Sequence, residues 1–165
     1  MFTAPLLNDA AALLDLLRKR GLKLATAESC TGGLISALFT EIAGSSDVIE
    51  RGFVTYSNAA KTELIGVPDA LIVQHGAVSE TVARAMAQGA LAHSYADVAV
   101  AVTGVAGPGG GSAAKPVGLV HIAAARKGGD VLHQECRFGD IGRGPIRLAS
   151  VEVALQLISR AAASP

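Results

Sequence analysis

The segment Asp97–Val105, DVAVAVTGV, constrains the fold of this chain more than any other stretch. It is a continuous apolar run of strand length and lacks the polar alternation of a half-exposed strand. A strand that is apolar on both faces has to be covered on both faces, as in layered α/β proteins. Helical periodicity elsewhere supplies the cover. Leu6, Leu7, Ala10, Leu13, Leu14 and Leu17 predict a helix over 5–20, stopped by Gly21 after the basic turn Arg18-Lys19-Arg20. A short strand at 22–27 leads through the turn Glu28–Gly33 into a helix at 34–42, closed by Gly44-Ser45-Ser46. The β-branched and aromatic stretch 48–56 predicts a second strand. Ser57-Asn58 can cap a short helix carrying Lys61, broken at Gly66-Val67-Pro68. A helix over about 79–93 precedes the central run. Strands at 117–126 and 131–138 flank a turn at 127–130, and a last helix spans about 145–161. Helices and strands alternate first and a strand pair comes late. The expected fold class is therefore α/β: a single-domain three-layer α/β/α sandwich with a mixed sheet.

With 165 residues the chain fits one domain, taken as 1–165. Half of it is apolar, 31 residues are Ala and 19 Gly, and 14 basic side chains balance 14 acidic ones. Disorder requires low hydrophobicity and high net charge and is excluded. Zero net charge and 4% aromatic residues leave no general footprint for nucleic acid. No apolar run has the length of a membrane span, and the N-terminal segment reads as a helix of the domain rather than a signal peptide. Cys30 and Cys136 form no C-x-x-C pair. A cytoplasmic setting with reduced thiols is the expectation.

Four segments could carry chemistry. The turn AESCTGG at 27–33 joins a strand to a helix, the position at which open α/β sheets place ligands. Free N–H groups of the following helix would stabilise an anion there. Ser29 or Cys30 could be a nucleophile, Thr31, Gly32 and Gly33 could line an anion site, or Ser29 or Thr31 could simply cap the helix. In GFVTYSNAAK at 52–61, Tyr56 ends a strand and Lys61 follows in a helix. Lys61 works as a base only if its pKa falls from about 10.4 to roughly 7–8; otherwise it is a solvated surface lysine. The loop at 102–118, with Thr103, Gly104, Gly107, Gly111 and Ser112, could wrap a ligand but matches neither nucleotide glycine motif. Arg143 and Arg147 near the last helix could hold phosphate or carboxylate, or form a solvated pair. His75, His93, His121 and His133 are scattered, with no metal-ligand spacing.

In combination, AESCTGG, IAGSS, RGFVTYSNAAK, HGAVSE, TGVAGPGGGS, KPVG and the downstream arginines resemble, in order, the C-terminal domain of the competence/damage-inducible protein CinA and its stand-alone relatives, the nicotinamide-nucleotide amidases. The resemblance covers about residues 8–160 and is to the single-domain form, without the larger N-terminal domain of full CinA proteins. It implies hydrolysis of nicotinamide mononucleotide to nicotinate mononucleotide and ammonia, in pyridine nucleotide recycling, with no metal and no cofactor. It places Ser29 as nucleophile and Lys61 as general base, with Tyr56 and Thr103 as relays or positioning groups. Cys30 to Gly33 would supply oxyanion donors. Gly104, the 107–112 loop and Arg143 or Arg147 would hold ribose and phosphate. Gly144-Pro145 departs slightly from the family's arginine stretch. Ser46 and Cys30 remain rival nucleophiles. A non-catalytic nucleotide-sensing or protein-interaction module is the alternative function. A homo-oligomer, first of all a dimer, is the expected assembly.

Overall fold

The computed structural model describes residues 2–165. The element order is α1 (Ala4–Lys19), β1 (Leu24–Glu28), α2 (Leu34–Thr40), a 3-10 turn (Ser45–Asp47), β2 (Ile49–Val54), α3 (Asn58–Ile65), α4 (Asp69–His75), α5 (Glu80–Ala92), β3 (Val98–Gly104), β4 (Leu119–Arg126), β5 (Val131–Arg137) and α6 (Arg143–Ala163). The strands form one sheet in the order β2-β1-β3-β4-β5. β1 pairs parallel with both β2 and β3, whereas β3, β4 and β5 pair antiparallel. The sheet is therefore mixed, as expected.

β3 is covered on both faces, and its two sets of side chains differ in size. Val98, Val100 and Val102 pack with Val120 and Ile122 of β4 against α1, α2 and α6. Ala99 and Ala101 pack with Ala123 and Ala125 against α5. Small residues on that face let α5 lie close, and α5 meets them with Ala83, Ala87 and Ala90. Gly89 extends the close approach sideways: a Cβ there would run into the Ile65 carbonyl at the end of α3. Much of the alanine in the composition thus serves this thin second layer.

The local signals act as chemistry requires. Thr3, Ser57 and Ser79 cap α1, α3 and α5 through their hydroxyls, accepting from Leu6, Ala60 and Val82 N–H. Gly66 closes α3 in the left-handed region at φ +67°. The structure adds one element, α4, within a stretch without strong periodicity that buries only Ile72. The last helix begins two residues earlier than expected, at Arg143.

The chain leaves β1 and returns as β2 with α2 on one face, then crosses to β3 through α3–α5 on the other. Such a reversal opens a crevice at the carboxyl ends of the strands. Glu28, Val54 and Gly104, the last residues of β1, β2 and β3, share that edge.

Candidate active site

Ser29 follows β1 directly, and its N–H donates to the Val102 carbonyl of β3 at 3.0 Å. Thr55 follows β2, and its N–H donates to the Glu28 carbonyl at 2.9 Å. These bonds extend the parallel ladder by one residue on each side and fix the two loops together. Lys61 sits in α3, four residues past its cap, and its side chain reaches back toward the helix N-terminus as helical side chains do. It is 1% exposed. Its Nζ lies 3.1 Å from Ser29 Oγ and 2.9 Å from the Thr55 carbonyl, with the Tyr56 and Ser57 carbonyls at 3.3 and 3.5 Å. Burial lowers the Lys61 pKa below its ordinary value. An amine that loses its proton keeps two N–H donors for the carbonyls and turns a lone pair to the serine hydroxyl. Ser29 and Lys61, 32 positions apart, are thus paired at proton-transfer distance.

Around this pair lies a cleft of about 300 Å³. Ser29, Cys30, Tyr56, Lys61, Thr103, Gly104, Gly107 and Arg143 line it, together with Asn58, Ala77, Val78, Val105, Ala106, Gly109 and Gly110. Thr103 is buried in its floor and donates to the Ala77 carbonyl at 2.8 Å, tying β3 to the link between α4 and α5. The sequence marks Asn58 only as a possible helix cap, and Ala77-Val78 not at all. The motifs YSNAAK and HGAVSE contain them, but no single-residue signal marks a backbone wall.

Tyr56 contributes to the pair through its carbonyl, which accepts from Lys61 Nζ and, at 3.4 Å, from Ser29 Oγ. Its phenol is exposed and accepts from Arg143 Nη2 at 3.1 Å. Arg143 Nη1 donates to the Gly107 carbonyl at 2.8 Å, so this guanidinium bridges the β2–α3 link and the glycine loop at the cleft rim. Arg147 is placed differently. Its Nε and Nη2 donate to the Cys30 and Thr31 carbonyls at 3.1 and 2.9 Å, clamping the turn after Ser29 from below.

The helix after that turn does not offer a free N-terminus. The Glu28 carboxylate, fully buried, accepts from Ile35 N at 2.8 Å and Ser36 N at 3.1 Å. Leu34 N donates to the Thr31 carbonyl. The expected anion site at the start of α2 is thus occupied by the protein's own carboxylate. Neither Ser29 nor Thr31 caps the helix; the cap position is Gly33, at φ +99°, where a side chain would be strained. Gly32 N–H is taken by the Ser29 carbonyl at 3.0 Å. Thr31 N–H is left, and it points away from Arg147, because C=O and N–H of a trans peptide are opposed.

Cys30 is buried and its thiol pKa is pushed up to about 11 by burial, so the sulfur beside Ser29 is a neutral thiol. Ser46 is exposed in the 3-10 turn before β2, at the opposite edge of the sheet. Ser112 and Gly111 lie outside the cleft lining, with Ser112 Oγ accepting from Lys115 N at 3.0 Å.

Among the described residues no helix is long and apolar enough to cross a membrane. The sequence profile described as CinA C-terminal domain matches residues 8–162. The chain is 50% identical to the nicotinamide-nucleotide amidohydrolase PncC of Escherichia coli over 143 residues, 86% of each protein. It is 50% identical to a CinA-like protein of Syntrophus aciditrophicus over 90% of this chain, but spans only 35% of that longer relative. The crystal structure of the competence/damage-inducible protein CihA from Agrobacterium tumefaciens superposes with a TM-score of 0.96 at 53% identity, covering 98% of both chains. A competence damage-inducible protein from Klebsiella pneumoniae gives 0.89 at 34% identity, covering 94% of this chain and 95% of that one. The chain belongs to the CinA C-terminal domain family.

Proposed function

We propose that this chain hydrolyses the carboxamide of nicotinamide mononucleotide to the carboxylate and ammonia, with Ser29 as nucleophile and Lys61 as general base. The hydrolase class rests on the likeness to PncC over most of both chains. The observation that carries the mechanism is the 3.1 Å approach of a buried, pKa-lowered lysine amine to a serine hydroxyl in a cleft. A serine is a weak nucleophile until an adjacent base takes its proton.

Neutral Lys61 removes the Ser29 proton as Oγ attacks the amide carbon. The resulting ammonium returns that proton to the departing nitrogen, the C–N bond breaks and ammonia leaves. Water then attacks the acyl-serine, again with Lys61 as base, and frees the acid and the serine. Cys30 and Thr31 N–H stabilise the oxyanion, since Gly32 N–H is already engaged. Arg147 orients the peptide that carries Thr31 N–H by holding its Cys30 carbonyl, and fixes the next peptide by the Thr31 carbonyl. Arg143 would hold the phosphate, a role supported by its position at the rim beside the glycine loop. The product is a substrate for NAD synthesis, so the reaction returns pyridine nucleotide to use. A homo-oligomer, a dimer first, is the proposed assembly, to be read from light scattering.

Ammonia release from nicotinamide mononucleotide, set beside nicotinamide and NAD, tests the reading. Ser29→Ala and Lys61→Ala should each lower kcat by about 10⁴-fold or more with the fold intact. Turnover near wild type in either variant removes the mechanism. Nucleotide binding by the wild type without ammonia release would favour a sensing module.

A further inference from the structure

The polar side chains of the cleft are almost all committed to one another or to backbone. Ser29 Oγ and Lys61 Nζ face each other. Thr103 Oγ1 is held by Ala77, and Arg143 and Tyr56 by each other and by Gly107. Asn58 is different. Among the described residues its carboxamide makes no hydrogen bond, although it lines the cleft. It stands at the first position of α3, where a polar side chain often serves as a cap. Here Ser57 already fills that role, accepting from Ala60 N at 3.0 Å. Asn58 is also three residues before Lys61, so both side chains leave the helix on one face, with Cβ atoms about 5–6 Å apart. The lysine amine extends back along that face to Ser29. An uncommitted carboxamide therefore shares the cleft with the reacting pair.

We propose that Asn58 recognises the reacting carboxamide by hydrogen bonding to it, an inference that rests on the amidase reading. Oδ1 accepts a hydrogen bond from the substrate –NH2, turning the carbonyl carbon toward Ser29 Oγ. In the product an oxygen replaces that nitrogen, and Asn58 holds it only by rotating its own NH2 inward. An aspartate at this position could still accept from the amide but would repel the acid. A carboxylate so close to Lys61 would also favour the ammonium form, so binding rather than turnover is the proper readout.

Calorimetry in a Ser29→Ala background separates these effects, with nicotinamide mononucleotide and nicotinate mononucleotide as probes. Adding Asn58→Ala should weaken nicotinamide mononucleotide about tenfold, equivalent to about 1.4 kcal/mol. Adding Asn58→Asp should leave that nucleotide within about threefold while weakening the acid about tenfold or more. Asn58 is exposed and caps nothing, so the melting temperature should be unchanged and serves as the control for folding. Binding unaffected by Asn58→Ala, equal responses of amide and acid to Asn58→Asp, or no binding of nicotinamide mononucleotide at all would overturn the assignment. Ammonia release by the wild type is measured in parallel. If it is absent while binding still depends on Asn58, the amidase reading falls and the recognition role of Asn58 stands.

Discussion

At the scale of single residues, the site turns on one amine. Burial makes the Lys61 ammonium unfavourable, while carbonyls of residues 55–57 give its N–H groups places to point. Because the pKa is lowered from 10.5, the neutral base is reached at lower pH than in a free lysine. The sign for activity follows: kcat/KM should rise with pH and level off at a midpoint below 10.5. Below that midpoint each pH unit should cost about tenfold. A profile with no acidic limb at all, flat from about pH 5 to about pH 10, would remove Lys61 as the base. Stability follows the same direction. The unfolded chain binds the Lys61 proton more tightly, so this group makes folding more favourable as pH climbs from the folded pKa toward 10.5. The pair was legible through the resemblance carried by AESCTGG and YSNAAK and not through either residue alone, since locally Ser29 could be a cap and Lys61 a surface lysine. What the sequence hid was which atoms of Tyr56 matter. Its ring drew notice, yet its carbonyl touches the amine, and backbone atoms carry no residue-specific signal.

At the scale of elements, α2 shows how a cap can escape a sequence reading. The usual search looks for Ser, Thr, Asp or Asn immediately before the first helical turn. Here Gly33 stands there and the acceptor is Glu28, six residues ahead of Leu34, at the end of β1. A buried carboxylate receiving two N–H donors resists even isosteric change. Glu28→Gln sets an NH2 donor against one of those N–H groups, and a buried polar group left unpaired costs about 1–3 kcal/mol. Urea unfolding should report a loss of that size; a change within about 0.5 kcal/mol would mean that α2 starts without this cap. The strands and most helices were readable because their periodicity and caps agree. α4 was not, since Asp69–His75 buries a single side chain and leaves no stripe.

At the scale of the whole molecule, the unequal layers follow from alternating valine and alanine in β3. Valines fill the thick side under α1 and α6, and alanines admit α5 closely on the other. Gly89 lies where that close layer meets α3. Glycine to alanine inside a helix ordinarily stabilises by about 0.5–1 kcal/mol. Here the new methyl meets a backbone carbonyl that cannot swing aside. Overpacking should win, so Gly89→Ala is expected to destabilise by about 1–3 kcal/mol. Thermal melting decides the sign, and a raised melting temperature would show that the layers can separate. The apolar central run made the sandwich readable; the difference in thickness needed the register that sets alanine opposite alanine, Ala99 with Ala125 and Ala101 with Ala123. The pairing of Glu28 with Val54 and the Thr55–Glu28 bond have a last consequence. The proposed nucleophile directly follows β1 and the proposed base sits in α3, just after β2, so they meet only when those neighbouring strands are zipped to the final rung. A nascent or half-folded chain therefore carries an ordinary serine and an ordinary charged lysine. Reactivity switches on with the closing of that seam, so the recovery of ammonia release during refolding is a clock for the assembly of the parallel half of the sheet.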